Sequence, residues 1–282
     1  MGSGTTADLG CVWGPTGVDV FGLGSDATLL RFNGKAWWPL SGAGALTPLR
    51  VFLIGDCRSW FLERYFPRLV ASGDLPRGLE VTGAVEGGQP LEYFWVNGTR
   101  MQPLPDLMAG KEKWDFGVIN ISYGYEEPDV KEYTDWVPKF DEVFKRAGAQ
   151  TVLTTSWPWQ PDVGTSQKAT EVADRLAAQL GARVAPVGLA VERVMRERPG
   201  LIEYVDENHV NAPGWYLSMC VLYATLFERS PEGLKYRLND ALAGSDEGFL
   251  WKLPTGWALS DEDAAYLQRV AWETVKEHQA QK

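Results

Sequence analysis

Between Leu49 and Phe227 the sequence alternates short, unbroken apolar runs with longer segments whose apolar residues recur every three or four positions. Val51-Phe52-Leu53-Ile54 contains no polar side chain at all, and Phe116-Gly117-Val118-Ile119-Asn120-Ile121 and Thr151-Val152-Leu153-Thr154 come close to the same pattern. A strand with water on one face alternates polar and apolar residues, so a continuous apolar run is a strand covered on both faces. Leu79-Glu80-Val81-Thr82 and Arg183-Val184-Ala185-Pro186-Val187 complete five such runs. The segments between them read as helices. Trp60 to Ala71 is one. Tyr133 to Ala147 carries Trp136, Phe140, Val143 and Phe144 on one face, and Ala169, Val172, Leu176 and Leu180 line a third helix that Gly181 can stop. Pro213 opens an apolar helix through Phe227. Ser260 and Asp263 form a capping-box-like start for a last one, with Leu267, Val270, Ala271 and Thr274 on one face. Strands joined by helices predict a three-layer α/β/α domain over residues 46–282, with a five-stranded, mainly parallel sheet.

Residues 5–45 have a different texture. They are rich in Gly and turn residues around short apolar bursts, Val18-Asp19-Val20-Phe21 and Ala27-Thr28-Leu29-Leu30-Arg31-Phe32, followed by Asn33-Gly34 and Lys35-Ala36-Trp37-Trp38. Asn-Gly between strand-like runs is a hairpin signal, because both residues tolerate positive φ. The segment resembles one repeat of the tachylectin-like and fucose-binding-lectin β-propellers. One repeat cannot close a propeller, so residues 1–45 are expected to form a small β-meander packed on the main domain, with Ser41-Gly42-Ala43-Gly44 as linker.

Charge and composition exclude several classes of function. A net charge of −10, from 37 acidic against 27 basic residues, opposes a phosphate-binding surface, so no nucleic-acid partner is expected. No apolar stretch reaches a membrane span; the longest mostly apolar window, Trp215 to Phe227, is interrupted by Ser218 and Thr225. Met1-Gly2-Ser3-Gly4 reads as a cloning remnant rather than a signal peptide, which hides the native export status; the cytoplasm is the favoured expectation, with a native signal peptide as the alternative. Three widely spaced cysteines, Cys11, Cys57 and Cys220, imply neither a disulfide framework nor a metal site. The histidines are two, His209 and His278, and the thirteen tryptophans supply both core area and cleft lining.

In an open parallel sheet, ligands bind beyond the carboxyl ends of the strands. The first core strand runs straight into Gly55-Asp56-Cys57-Arg58-Ser59. Cys57 is expected at the start of the following helix, where backbone N–H groups and the helix dipole favour a thiolate. Far downstream stands Asp206-Glu207-Asn208-His209, then Asn211 and Pro213-Gly214. Acyl transfer needs a nucleophile, a base, a group that orients the base, and donors for the developing oxyanion. Asp206 and His209 on one turn can meet, leaving the other ring nitrogen for Cys57. Ser59 is the weaker nucleophile, turned roughly 200° away if the helix starts at Cys57.

Those two blocks carry a resemblance. Ile54-Gly55-Asp56-Cys57 resembles the first block of the SGNH (GDSL-type) hydrolases, in which Gly-Asp-Ser ends the strand and Ser is the nucleophile. Asp206-x-x-His209 resembles their last block, and Gly214-Trp215-Tyr216-Leu217 to Tyr223-Ala224-Thr225-Leu226-Phe227 the helix after it. The likeness spans roughly Val51 to Phe227. It implies a flavodoxin-like sheet, no cofactor, and a triad of Cys57, His209 and Asp206. It also implies an oxyanion hole built from the Cys57 backbone and a second-block glycine, Gly87 ahead of Gly88, with Gly83 the other glycine after that strand. The family's third block, Gly-x-Asn-Asp, is replaced by Asn120-Ile121-Ser122-Tyr123-Gly124, where Asn120 is the nearest amide. The family's Ser is Cys57 here, either as a natural thiol nucleophile or as a replacement.

Arg58, Trp157, Trp159 and Tyr123 are the candidate substrate contacts. Three of them have a structural alternative: a surface salt bridge for Arg58, aromatic core packing for Trp157 and Trp159. Cys220 reads as core, Cys11 as structural, His278 as solvated, and Glu126-Glu127 and Asp261-Glu262-Asp263 as solvated faces. Three functions follow. The first is an ester or thioester hydrolase with an acyl-Cys57 intermediate, acting on a small-molecule or glycan-linked acyl ester. The second is an acyltransferase with the same nucleophile, since Gly-x-Cys after the strand also resembles certain capsule-polysaccharide acetyltransferases. The third is a non-catalytic carbohydrate-binding protein. Acyl group, acceptor and oligomeric state are not encoded legibly.

Overall fold

The computed structural model of the protein describes residues 9–16, 19–24, 29–32, 37–41, 47–98, 113–121, 126–127, 129–238 and 258–282. The first four strands, β1 (Leu9–Thr16), β2 (Asp19–Gly24), β3 (Leu29–Phe32) and β4 (Trp37–Ser41), pair antiparallel in chain order as a meander. Phe32 lies opposite Trp37, so a hairpin flanks the Asn33-Gly34 positions, which lie outside the described residues. Leu9–Thr16 carried no strand signal that the sequence reading used. Cys11, expected as structural, is exposed.

From Leu49 the five apolar runs become β5 (Leu49–Gly55), β6 (Leu79–Val85), β7 (Phe116–Ile121), β8 (Gln150–Thr155) and β9 (Arg183–Pro186). Every pairing among them is parallel, in the order β6-β5-β7-β8-β9. This is the doubly wound order in which the chain leaves β5 to one side and returns on the other, creating a crevice at the carboxyl ends of β5 and β7. The helices are α1 (Trp60–Ala71), α2 (Leu91–Asn97), α3 (Asp129–Arg146), α4 (Ser166–Leu180), α5 (Val187–Glu197), α6 (Ala212–Phe227) and α7 (Asp261–Ala280).

The pleat explains the unbroken apolar runs. In β5, Val51 and Leu53 enter one apolar cluster with α1, α5, α6 and α7, while Phe52 and Ile54 enter the other with α2, α3 and α4. Each face of the sheet therefore has its own core. Helix α6 is buried along Ala212–Leu226, which is why its apolar residues show no single stripe. On the opposite face Gly117 admits the Phe144 ring: a Cβ there would lie 2.2 Å from it. Gly181 ends α4 in the left-handed conformation (φ 65°), and the Ser260 hydroxyl caps α7 by accepting from the Asp263 N–H at 3.0 Å.

Three expectations require correction. His278 is not solvated: it is 4% exposed, its Nε2 3.0 Å from both carboxylate oxygens of Asp174, because the α7 face carrying it packs inward. Helices α2 and α5 were not anticipated; α5 follows β9 directly, with Pro186 at its N-cap and no side-chain cap, and α2 is only seven residues long. Finally, α1 begins at Trp60, so Cys57 lies in the turn before the helix rather than in its first turn.

Candidate active site

The β5 strand ends at a glycine for a steric reason. A Cβ on Gly55 would lie 2.3 Å from Ser59 Oγ and 2.9 Å from Asn120 Cβ, so only glycine lets the turn fold back against β7. The turn is then braced by Asp56, which is 3% exposed. Its Oδ1 accepts from the Arg58 N–H at 2.9 Å and from Asn120 Nδ2 at 3.1 Å, and Asn120 Oδ1 accepts from Ser156 Oγ at 2.9 Å. Cys57 emerges from this brace half-buried, whereas Ser59 is 1% exposed and packed behind Gly55.

A second loop, between α5 and α6, approaches from across the sheet edge. His209 Nε2 lies 3.2 Å from Cys57 Sγ. His209 Nδ1 lies 3.1 and 3.0 Å from the two Asp206 oxygens, and Asp206 Oδ1 also accepts the N–H groups of Asn208 at 2.8 Å and His209 at 2.7 Å. The tautomer with Nδ1–H on Asp206 leaves the Nε2 lone pair facing the sulfur. Burial pushes the Asp206 carboxyl up, but the donors from His209 and Asn208 outweigh it and hold the group below the usual carboxylate range.

The loop is fixed from beneath by two indoles. Trp157 Nε1 donates to Asn208 O at 2.9 Å and Trp215 Nε1 to Val210 O at 2.7 Å, while the Trp215 ring lies nearly parallel to His209, 6.2 Å between centroids. Tyr204 OH adds a bond to Pro158 O at 2.6 Å. Sequence reasoning did not assign these clamps. The only legible trace was the closeness of Trp215 and Asn208 to His209 in the chain.

The electrostatics overturn one expectation. Burial, and then the Asp56 charge, push the Cys57 thiol up to about 11, with Arg58 pulling the other way. The thiol is therefore protonated at rest near neutrality, because it is partly buried and faces the Asp56 charge.

The other candidates separate clearly. Gly87 is beside Cys57, with its Cβ position 3.7 Å from Cys57 Cβ; Gly88 follows with φ 69°. The Gly83 N–H is already donated to Glu63 Oε1 at 3.1 Å. Asn120 is 6% exposed and its amide braces Asp56. Arg58 is not a surface residue: it is 3% exposed, donating to Trp157 O at 3.1 Å and to Asn208 Oδ1. Trp157, a candidate substrate wall, is 1% exposed and packs edge-on against Trp215, so it is core; Trp159 is 44% exposed. Tyr123 lies outside the described residues. Cys220 is buried within α6. Among the described residues no helix is long and apolar enough to cross a membrane, and no three His, Cys, Asp or Glu gather as a metal site would need.

No protein-family profile and no curated protein matches the sequence. Solved structures do match it. A protein of Slackia heliotrinireducens, provisionally assigned as an SGNH hydrolase, superimposes with a TM-score of 0.53 at 23% identity, over 64% of this chain and 99% of its own. A point mutant of an acetyl-xylooligosaccharide esterase from Geobacillus Stearmophilus superimposes with a TM-score of 0.50 at 11% identity, over 64% of this chain and 96% of its own. The fold is thus the three-layer fold of SGNH hydrolases.

Proposed function

We propose that this protein hydrolyses acyl esters through a covalent acyl-Cys57 intermediate, with His209 as general base and acid and Asp206 as the group that orients it. The observation that carries the reading is the 3.2 Å approach of His209 Nε2 to Cys57 Sγ with Nδ1 held on Asp206. The esterase and SGNH assignments of the matching structures support hydrolysis at a general level.

Because the thiol is protonated at rest, the proton leaves as the sulfur attacks. His209 Nε2 takes the S–H proton while Sγ bonds to the carbonyl carbon and the carbonyl electron pair moves to oxygen. The Cys57 and Gly87 backbone N–H groups are our candidates for receiving that oxyanion, with Gly88 next in the loop. The C–O bond breaks, the alcohol leaves with the proton from His209, and a thioester remains. Water then gives a proton to His209 and attacks the thioester; the C–S bond breaks and the sulfur recovers the proton. In this reading residues 46–282 form the catalytic unit and residues 1–45 an appendage. The exposed Trp159 ring offers a stacking face for a sugar-linked ester.

Time-resolved intact-mass spectrometry on simple acetyl esters and thioesters tests the proposal. A transient acyl mass on Cys57 that water discharges is the expected result, lost in Cys57→Ala and His209→Ala. Discharge only after an alcohol or amine is added would make the protein an acyltransferase. No acyl mass on any ester would overturn catalysis in favour of binding.

A further inference from the structure

Arg58 is an unusual residue to bury beside a nucleophile. It directly follows Cys57, is 3% exposed, and lies with its guanidinium 5.8 Å above the Trp157 ring. One terminal nitrogen donates to the Trp157 carbonyl at 3.1 Å, and the other donates to the side-chain oxygen of Asn208. A guanidinium has donors and no acceptor, so this contact fixes which end of the Asn208 amide faces it. The oxygen must turn to Arg58, and the amino group must turn the other way. It turns to the nucleophile: Asn208 Nδ2 lies 3.8 Å from Cys57 Sγ.

The rest of Asn208 is equally constrained. Its backbone N–H donates to Asp206 Oδ1 at 2.8 Å, and its carbonyl accepts from Trp157 Nε1 at 2.9 Å. Backbone and side chain are both anchored, so the amino group is pre-aimed and needs no reorganisation when charge develops.

We propose that Asn208 is a further catalytic residue, donating its side-chain N–H to the Cys57 sulfur as negative charge collects there, and that Arg58 is the positioning residue that holds it in that orientation. This rests on the acyl-Cys57 reading. The charge in question appears twice, as the proton leaves for His209 and again when the thioester C–S bond breaks and the sulfur departs with the electron pair. The groups facing the sulfur are Asp56 and Asp206, which oppose that charge, and Arg58 and His209, which favour it. With two carboxylates close by and partial burial, the side-chain N–H of Asn208 adds a second neutral donor to the backbone N–H of Cys57, which already favours the charged sulfur. Arg58 also polarises the amide it binds, which strengthens the N–H as a donor.

The test reads the thiol directly and needs no turnover. The rate of iodoacetamide modification of Cys57, followed by mass spectrometry against pH, is compared between the wild-type protein, Asn208→Ala, Asn208→Asp and Arg58→Met. Loss of the donor is expected to slow modification at pH 8 by about tenfold, the equivalent of one pH unit in the profile. Asn208→Asp is expected to slow it further, since it turns a carboxylate oxygen toward the sulfur. Arg58→Met should move the profile in the same direction, and the Arg58→Met/Asn208→Ala double variant should be no slower than the slower single variant, as for two residues acting as one unit. A structural role alone would lower activity while leaving the profile in place, and coincident profiles for Asn208→Ala, Asn208→Asp and wild type would overturn the proposal. Arg58 is buried and its variant can fail to fold; the Asn208 variants, on a half-buried loop, decide the matter without it. Failure to form an acyl mass on Cys57 would sink the hydrolase reading, whereas an unmoved profile with acylation intact would sink only the role of Asn208.

Discussion

At the scale of single residues the site is decided by what the strand-end turn tolerates. Gly55 is required sterically, since an added methyl would meet Ser59 and Asn120 within 3 Å. We expect Gly55→Ala to destabilise the protein by about 1–3 kcal/mol, as overpacking does, and to abolish Cys57 acylation, measured by denaturant midpoint and intact mass. The thiol itself gives the second prediction. Burial and the Asp56 charge raise it to about 11, and only the thiolate alkylates. Iodoacetamide modification of the wild-type protein should therefore climb about tenfold per pH unit through neutrality, with a midpoint near 11. A plateau already reached below pH 8 would show a preformed thiolate–imidazolium pair instead.

At the scale of elements, α7 is tied to the fold at both ends. Its first turn is closed by Ser260 and Asp263, and near its C-terminus His278 and Lys282 converge on Asp174 of α4, at 3.0 and 2.8 Å. Burial pushes the Asp174 carboxyl up, but the bonds from His278 and Lys282 outweigh it and leave it below its ordinary range. A lowered carboxylate stabilises the fold fully above its unfolded value, and that contribution disappears as pH falls through the folded value. His278→Ala should thus cost about 1–3 kcal/mol in a urea titration at neutral pH. The deficit should shrink in acid, once Asp174 is protonated in both proteins. Acylation of Cys57 should be unchanged, because the bonds between His278 and Asp174 do not involve Cys57, His209 or Asp206. A variant as stable as wild type would show that the pairing contributes nothing.

At the scale of the whole molecule, the Cys57 turn and the Asp206–His209 loop are 152 positions apart from Cys57 to His209 and meet because of strand order. The β6-β5-β7-β8-β9 arrangement opens a crevice at β5, and the Asp206–His209 loop, clamped by Trp157 and Trp215, delivers the imidazole there. Both apolar clusters are assembled from Leu49 onward. A protein starting at Thr47 should therefore unfold in one cooperative transition and still acylate Cys57. Loss of that transition in thermal melting would show that the N-terminal meander is part of the same folding unit.

The five strands were legible because a strand covered on both faces has no polar position to hide, and Phe116–Ile121 was readable to the residue. The meeting of Cys57, His209 and Asp206 was legible because Asp206 and His209 share one turn and Cys57 ends an apolar strand. The sequence alone thus determined the layers, the parallel sheet, and the residue types that could meet. Only the tertiary structure decided that Arg58 turns inward to hold Asn208, that Trp157 is core while Trp159 is exposed, and that His278 is buried against Asp174. It also decided that the thiol is raised rather than lowered. Periodicity reports which face of an element is buried, but the partner of a polar side chain, and hence its charge state, depends on segments some 100 to 150 positions distant in the chain, which no local pattern encodes.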